Sequence, residues 1–207
     1  MKSKKIERAF AYFPVFTLFL DLCALIEFFR DPGLFSFIGL LLMIYGIPLV
    51  AARLAMTFWP LEEGGSVFGG GTGFSPWLVV HRIQLVYLFV PQFERFLLAV
   101  PGLFSLWLRL WGSKIGKKVL WPPSVEVVDR THMKVGNGVL IGNKVHFSPH
   151  VVKPKEERLF LYLKSIEIGD RAFIGAGSRL GPGCKVLTGA HVPVLTDLLV
   201  NKTYPEA

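Results

Sequence analysis

The chain has 207 residues, which is room for one ordinary domain or two small ones. Hydrophobic residues make up 52% of it and charged residues only 18%, so it is more apolar than a typical soluble domain, and its formal net charge is +8. The sequence contains no helix-turn-helix, zinc-finger or RNP-like motif and its lysines are scattered, which argues against nucleic acid and favours a membrane surface as the basic chain's partner.

Two apolar stretches within residues 1–60 are each long enough to cross a bilayer. Residues 9–29 and 34–58 both reach the length of about 20 residues that a membrane-spanning helix needs, and the link at residues 30–33 is short. We therefore predict a transmembrane helical hairpin. Lysine and arginine cluster before the first stretch and after the second, so both ends of the hairpin should be cytoplasmic. This predicts an integral protein of the inner (cytoplasmic) membrane whose C-terminal half lies in the cytoplasm.

Residues 61–111 combine a glycine-rich segment with further apolar stretches. The glycines of residues 62–76 do not have the spacing of a phosphate-binding loop, and we interpret this segment as a flexible connector. Beyond it, apolar runs broken by Pro91 and Pro101 carry tryptophan, phenylalanine and arginine. That mixture is typical of amphipathic helices lying in the membrane interface.

Residues 112–207 contain a six-residue repeat. Each unit begins with an aliphatic residue, usually followed by glycine, and such a unit forms one short strand and a corner, so that three units make one coil. A single coil cannot bury its apolar residues, and coils must therefore stack into a parallel β-helix. An ordinary β-sandwich is the alternative, but nine phased leading positions favour the coil; residues 151–165 interrupt the repeat as a protruding loop. The leading residues are Ile115, Val135, Ile141, Ile168, Ile174, Leu180, Val186, Val192 and Leu198.

Three segments resemble the hexapeptide-repeat acyltransferases, the left-handed β-helix superfamily. They are LWLRLWGSKIG at Leu106–Gly116, VGNGVLIGNKVHFSPH at Val135–His150 and IEIGDRAFIGAGS at Ile166–Ser178. The resemblance implies an N-terminal α-helical membrane domain followed by an all-β left-handed parallel β-helix. More narrowly, a membrane hairpin fused to such a coil resembles members that modify glycolipids, envelope polymers or peptides. The chain ends in NKTYPEA, a loose echo of the phrase with which many members close.

The resemblance also implies a homotrimer with active sites between subunits. A histidine at a coil corner beside the protruding loop would act as general base, and His150 holds that position. His146 is a rival base, and Asp129, one coil earlier beside His132, would orient the base. The residues expected to bind the donor are the backbone amides of Gly175, Ala176, Gly177 and Ser178 at the oxyanion, and Arg179 and Lys185 at the phosphates.

The expected activity is transfer of an acyl group, most simply acetyl, from a thioester of CoA or acyl-carrier protein. The acceptor would be a hydroxyl or amine of a membrane-associated lipid-linked, glycan or peptide molecule, and no permanently bound cofactor or metal is expected. A non-catalytic trimeric membrane scaffold is one alternative. The other is a γ-carbonic-anhydrase-like zinc enzyme, which would need His132, His146 and His150 to converge, although the context typical of that family is absent.

Overall fold

A computed structural model of the chain describes residues 2–69 and 74–205. The chain divides into two compact units. The helical unit comprises Met1–Leu61 and Phe74–Phe93, and the coil unit comprises Glu62–Gly73 and Glu94–Ala207. The centre of the predicted glycine-rich connector, residues 70–73, and the end of the C-terminal phrase, residues 206–207, lie outside the described residues.

One continuous helix dominates the helical unit. It runs over 25 residues, Leu34–Phe58, is long and apolar enough to cross a membrane, and leaves most of its apolar surface exposed. The two helices before it, Lys5–Ala11 and Phe13–Arg30, pass the same test together, but the chain bends by 41° between them. By length and composition the described residues therefore hold one possible span, or two if the bent pair counts as one. The helices are α1 (Lys2–Ala11), α2 (Phe13–Arg30), α3 (Leu34–Leu41), α4 (Ile47–Phe58) and α5 (Pro76–Phe89).

A single π-helical turn, Leu42–Gly46, joins α3 to α4. Pro48, at the start of α4, changes the hydrogen bonds of the backbone in this turn. Proline has no N–H, so the carbonyl of Ile44, four residues earlier, has no donor within the helix. The Tyr87 hydroxyl of α5 donates to that carbonyl at 2.8 Å. The Ile47 N–H reaches back five residues to the carbonyl of Leu42. The turn therefore ties α5 into the helical unit.

The surroundings of α5 differ from those of the interfacial helix expected here. It contacts α1, α2 and α4. Its apolar residues are distributed all around the helix, and its buried residues therefore occupy every side of it instead of one stripe. Its start follows from the sequence, since Ser75 Oγ accepts from the Leu78 N–H at 3.3 Å and Pro76 occupies the first turn. The buried residues are Trp77, Val79, Val80, Ile83, Gln84, Val86 and Tyr87.

In the coil unit, two helices precede fourteen of the fifteen strands. They are α6 (Gln92–Leu98), whose first two residues belong to the helical unit, and the amphipathic α7 (Leu103–Trp111). The strands are β1 (Gly64–Phe68), β2 (Lys114–Ile115), β3 (Glu126–Val127), β4 (Met133–Val135), β5 (Leu140–Ile141), β6 (His146–Phe147), β7 (His150–Lys155), β8 (Arg158–Leu163), β9 (Ile166–Ile168), β10 (Phe173–Ile174), β11 (Arg179–Leu180), β12 (Lys185–Val186), β13 (His191–Val192), β14 (Asp197–Leu198) and β15 (Thr203–Tyr204).

Twelve of these strands form three parallel sheets that the chain visits in rotation. The five-stranded sheet has the order β15-β12-β9-β4-β2, the four-stranded sheet β14-β11-β6-β3, and the three-stranded sheet β13-β10-β5. Leu120 adds a bridge to Leu140 at the open edge of the three-stranded sheet. Leading residues of neighbouring coils pair in register and are buried, for example Ile141 with Ile174. The parallel coil predicted from the repeat is thus confirmed as an arrangement of strands.

Close stacking of the coils depends on the glycine that follows most of the leading residues. A Cβ on Gly142 would lie 2.5 Å from the backbone nitrogen of Ala176 in the next coil, where backbone cannot move aside. We expect Gly142→Ala to lower the free energy of unfolding by about 1–3 kcal/mol, as overpacking does. Gly181→Ala is the matched control, because its nearest contact is 3.3 Å away. Equal melting temperatures for the two variants would contradict this account.

The three remaining strands form an antiparallel sheet in the order β1-β8-β7. The protruding segment 151–165 is therefore largely a hairpin, and residues 64–68, expected within a flexible connector, add a third strand to its free edge. Pairing satisfies backbone groups that an exposed edge would leave open. The glycine at position 65 allows this close pairing of β1 with β8, because a Cβ there would lie 2.8 Å from the Phe160 ring. At the base of the sheet, Gly64, Leu163 and His150 are aligned side by side.

Candidate active site

One corner of the coil gathers most of the polar side chains that can carry chemistry. It lies where the chain leaves the four-stranded sheet for the five-stranded sheet, and successive coils place residues 129–132, 148–150, 181–184 and 199–202 there. We call it the His150 corner. The hairpin is inserted at this corner, directly after Pro149, so residues far apart in sequence stack above one another.

His150 and Asp129 form a hydrogen-bonded pair at this corner. Nδ1 of the imidazole is bonded to Oδ2 of the carboxylate. The Asp129 side chain is 1% exposed and that of His150 14% exposed, so the carboxylate is shielded while part of the ring reaches the surface. A buried carboxylate on Nδ1 selects the tautomer that carries its proton there and fixes the orientation of the ring. The Ser148 hydroxyl donates to the His150 carbonyl at 2.9 Å and steadies the backbone.

A second histidine, His132, lies buried at the same corner. Its Nδ1 is 2.6 Å from the Thr131 hydroxyl. Burial lowers the pKa of His132, and the positive charge of Lys134 lowers it further, against the opposing carboxylates of Asp129 and Glu63. His132 is therefore neutral at neutral pH, and it supplies the dyad with a polar neighbour that carries no charge.

Glu63, which directly precedes β1, contacts Ser165 at the base of the hairpin. Its Oε1 accepts from the Ser165 hydroxyl at 2.5 Å and from the Ser165 N–H at 3.3 Å. Burial by itself raises the pKa of Glu63, but the hydrogen bonds from Ser165 and the positive charge of Lys134 outweigh it, so the net shift is downward. A carboxylate is thus kept ionised beside the base of the hairpin.

These shifts predict that acid destabilises the fold. Because the pKa of His132 is lower in the folded chain, the unfolded chain binds more protons below about pH 6.5. The contribution of neutral His132 to the stability of the fold is fully present above that pH. It is lost as the pH falls through the pKa that His132 has in the folded chain. We expect the melting temperature of the purified protein to drop from pH 7 to pH 5, and His132→Gln to reduce that drop. His146→Gln, at a half-buried histidine on a sheet face, is the control, and equal pH slopes in wild type and His132→Gln would contradict the prediction.

The coils after His150 add a polar cluster at the same corner. The Tyr162 hydroxyl and the amide of Asn201 are 3.0–3.1 Å apart, and Lys164 Nζ donates to Asn201 Oδ1 at 2.9 Å. Gly183 (φ 73°) lies beneath them, where a Cβ would meet the Lys164 side chain at 2.7 Å. This cluster joins the hairpin to the last coils.

Three residues proposed from the sequence lie instead on outer faces of the sheets. His146 Nδ1 is 3.1 Å from Glu126 Oε2 on the four-stranded sheet, so it is not part of the dyad. Arg179 Nε donates to Asp197 Oδ1 at 2.7 Å on the same sheet. Lys185 Nζ is 3.3 Å from Glu167 Oε2 on the five-stranded sheet. Parallel register brings these partners together, since each pair occupies the same position in adjacent coils.

The expected oxyanion donors, Gly175 to Ser178, lie at a different corner, between the three-stranded and four-stranded sheets. Three of their four amides are already used: Gly175 N–H donates to Val192, Gly177 N–H to Asn143, and Ser178 N–H back to Gly175. Within one chain these three amides are engaged in the hydrogen bonds of the coil, and their role at an oxyanion stays a prediction. The coil consumes backbone donors to hold its strands together.

Sequence reasoning missed Glu63, Ser165 and the Tyr162–Asn201 contact. Glu63 and Ser165 are separated by 102 residues, and they meet only because β1 adds to the hairpin. No repeat or motif links them in the sequence. The available signal was the hexapeptide period, which places Asp129 and His132 at a corner one coil before His150.

Comparison with known proteins finds partial likenesses among solved structures. No protein-family model and no curated protein sequence matches the chain. A hexapeptide-repeat-containing acetyltransferase from Vibrio cholerae O1 biovar eltor, complexed with acetyl coenzyme A, is 16% identical, with 62% of this chain and 88% of that chain covered and a TM-score of 0.38. A maltose O-acetyltransferase from Clostridium difficile 630 is 14% identical, with 56% and 79% covered and a TM-score of 0.32.

A third solved structure, serine acetyltransferase isoform 3 from Entamoeba histolytica in complex with cysteine, is 12% identical. The alignment covers 83% of this chain and 74% of that chain, with a TM-score of 0.28. All three likenesses have low scores.

Proposed function

We propose that this chain is a membrane-anchored acyltransferase and that its C-terminal coil is a left-handed β-helix. It transfers an acyl group, most simply acetyl, from a CoA or carrier-protein thioester to a hydroxyl or amine of a membrane-associated acceptor. The observation that carries the proposal is the hydrogen bond between His150 Nδ1 and the buried Asp129 carboxylate. A partly exposed imidazole with one nitrogen fixed by a buried acid is the arrangement that general-base catalysis needs.

His150 supplies the proton transfers of the reaction. With Nδ1–H donated to Asp129, the lone pair lies on Nε2 and accepts the proton of the acceptor O–H or N–H as that atom attacks the thioester carbonyl. The acceptor–carbon bond forms, and the carbonyl π electrons move to oxygen. When the tetrahedral intermediate collapses, the carbon–sulfur bond breaks and the imidazolium returns its proton to the departing thiolate. Asp129 stabilises the imidazolium between these two steps.

The membrane location is supported by the helix Leu34–Phe58. Its apolar side chains remain exposed over most of its length, and such a surface is stable in hydrocarbon but not in water. We propose that it anchors the protein in the cytoplasmic membrane with the coil on the cytoplasmic side, where acyl thioesters are made. A lipid-linked, glycan or peptide acceptor would then be presented at the membrane surface.

We also propose that three copies assemble. The outer side of the three-stranded sheet supports this, because it carries Leu140, which is 44% exposed, in register with Phe173. The other two sheets present charged pairs there instead. An exposed apolar ladder on one face favours burial against another subunit.

The test is thioester turnover by purified, detergent-solubilised protein. Free-thiol release from acetyl-CoA would be followed with total membrane lipid as acceptor, and then with longer acyl-CoAs and acyl-carrier protein. Acceptor-dependent thiol release is the expected result. A folded protein that releases no thiol from any of these donors would overturn the proposal and favour the non-catalytic scaffold. The set of His132, His146 and His150 that the zinc alternative needs does not converge, since His146 lies with Glu126 on a sheet face.

A further inference from the structure

A second concave site lies at another corner of the coil unit, between the five-stranded and three-stranded sheets. It is a cavity of about 630 Å³ formed by the end of α6, by α7 and by the first coil, and we call it the junction cavity. This volume is within the range of small-molecule sites. The reaction proposed above uses none of its residues. Its lining comprises Leu98, Val100, Pro101, Gly102, Phe104, Ser105, Arg109, Gly116, Lys117, Lys118, Val119, Leu120 and Trp121.

One wall of the junction cavity is apolar and open to the outside. Val100 and Leu120 are 52% and 63% exposed, and the Phe104 and Trp121 rings meet edge to face at 5.3 Å. Trp121 is held in place because its Nε1–H donates to the buried Ser105 hydroxyl at 2.9 Å. The wall is thus preformed. Covering it with hydrocarbon would remove apolar surface from water, which favours binding by about 25 cal/mol per Å² of apolar surface buried.

Another part of the lining of the junction cavity is cationic. Arg109 is fixed there, because its guanidinium donates to the carbonyls of Ile115 at 2.7 Å and Gly116 at 2.6 Å. Lys117 and Lys118 follow directly on the first coil and are exposed. Among the described residues that line the cavity there is no Asp or Glu. On the sheet faces, by contrast, Arg179 and Lys185 are each paired with a carboxylate.

The surface next to the junction cavity is apolar as well. On α6 and α7, Phe96, Leu106 and Leu110 are 69%, 46% and 44% exposed. Exposed apolar side chains beside a basic rim are the combination with which proteins meet the boundary between lipid headgroups and acyl chains. The amphipathic α7 therefore provides a route by which a molecule with a hydrocarbon chain reaches the cavity.

We propose that the junction cavity binds a phosphate-bearing lipid. Its phosphate would lie against Lys117 and Lys118, and its hydrocarbon chain against Val100, Leu120 and the Trp121 ring. The proposal does not rest on acyl transfer, since it involves neither His150 nor Asp129. A lipid held here would orient the coil unit at the membrane surface.

The experiment is native mass spectrometry of the full chain in detergent, titrated with phosphatidylglycerol or with phosphatidylcholine of the same acyl chains. The test variant combines Lys117→Gln with Lys118→Asn, since asparagine tolerates the φ of 56° at position 118. The matched control combines Lys144→Asn, at a corner with φ of 57°, with Lys153→Gln on the hairpin. We expect the test variant to bind phosphatidylglycerol roughly tenfold to thirtyfold more weakly, with phosphatidylcholine binding unchanged. The control should bind both as wild type does.

Two further arms identify the source of the phosphate and keep the result separate from catalysis. Glycerophosphoglycerol, which has the headgroup without chains, should compete poorly; if it binds as tightly as the lipid, the site takes a soluble phosphate and the lipid proposal fails. Acyl-CoA displacing the lipid at lower concentration would mark a donor site and also overturn it, as would unchanged phosphatidylglycerol binding by the test variant. Asp129→Asn should bind the lipid normally, whether or not the chain transfers acyl groups.

Discussion

Acyl transfer by a His150→Ala variant is expected to fall by about 10²–10⁴-fold, the usual contribution of a general base. The loss should appear in kcat, because the imidazole acts on the proton that moves in the transition state. It is measured as thiol release from acetyl-CoA with saturating acceptor. His146→Ala is the matched control, because His146 also has a carboxylate neighbour, Glu126, but lies on a sheet face. Equal losses of kcat in His150→Ala and His146→Ala would contradict a specific role of His150 as the general base.

Asp129→Asn is expected to cause a loss of similar order, about 10²–10⁴-fold, by a different route. The amide has no charge to stabilise the imidazolium, and its N–H₂ group can turn the histidine to the wrong tautomer. Because Asp129 is buried, the melting temperature of the variant must be compared with that of wild type. A variant that is folded and fully active would show that the carboxylate is only structural.

Substituting Arg130 by Met is expected to lower the free energy of unfolding of the coil unit by about 3–5 kcal/mol, because it leaves a charged partner without its counter-ion. The Arg130 side chain is fully buried, and its Nε and a terminal nitrogen each donate to the Glu94 carboxylate at 2.6 Å. The same carboxylate accepts from Trp107 Nε1 at 2.9 Å. One ion pair therefore ties α6 and α7 to the corner that carries Asp129.

The double variant Glu94→Leu with Arg130→Met separates the ion pair from simple packing. Removing both charges avoids an unpaired buried group, so the double variant should regain much of the lost stability and melt above either single variant. Chemical denaturation in detergent, followed by tryptophan fluorescence, measures it. A double variant with the summed loss of the two single variants would contradict strong coupling between the two side chains.

The parallel coil was predictable because its period is local. A leading aliphatic residue every six positions specifies which side chains point inside, and these residues are buried in the structure, for example Ile174 and Leu180. The interrupted period also located the hairpin. The handedness of the coil stays a prediction from the resemblance, as do the trimer and the donor.

The helical unit was predictable in outline only. Length and apolar composition indicated helices at residues 9–29 and 34–58, and helices occupy both stretches. The position of α5 was not predictable, because its burial depends on which neighbours surround it. The contact of Tyr87 with the carbonyl that Pro48 leaves without a donor shows how specific that packing is.

By itself the sequence determined the repeat, the corner at which it is interrupted and, from these, the proximity of Asp129 to His150. Only the tertiary structure decided that His146, Arg179 and Lys185 face carboxylates on the sheet faces. It also decided that Glu63 meets Ser165 and that Glu94 meets Arg130, across 102 and 36 residues. The physical reason is that a six-residue period specifies inward side chains and vertical neighbours, whereas contacts of the hairpin and helices with the coil depend on how elements without any common period pack together.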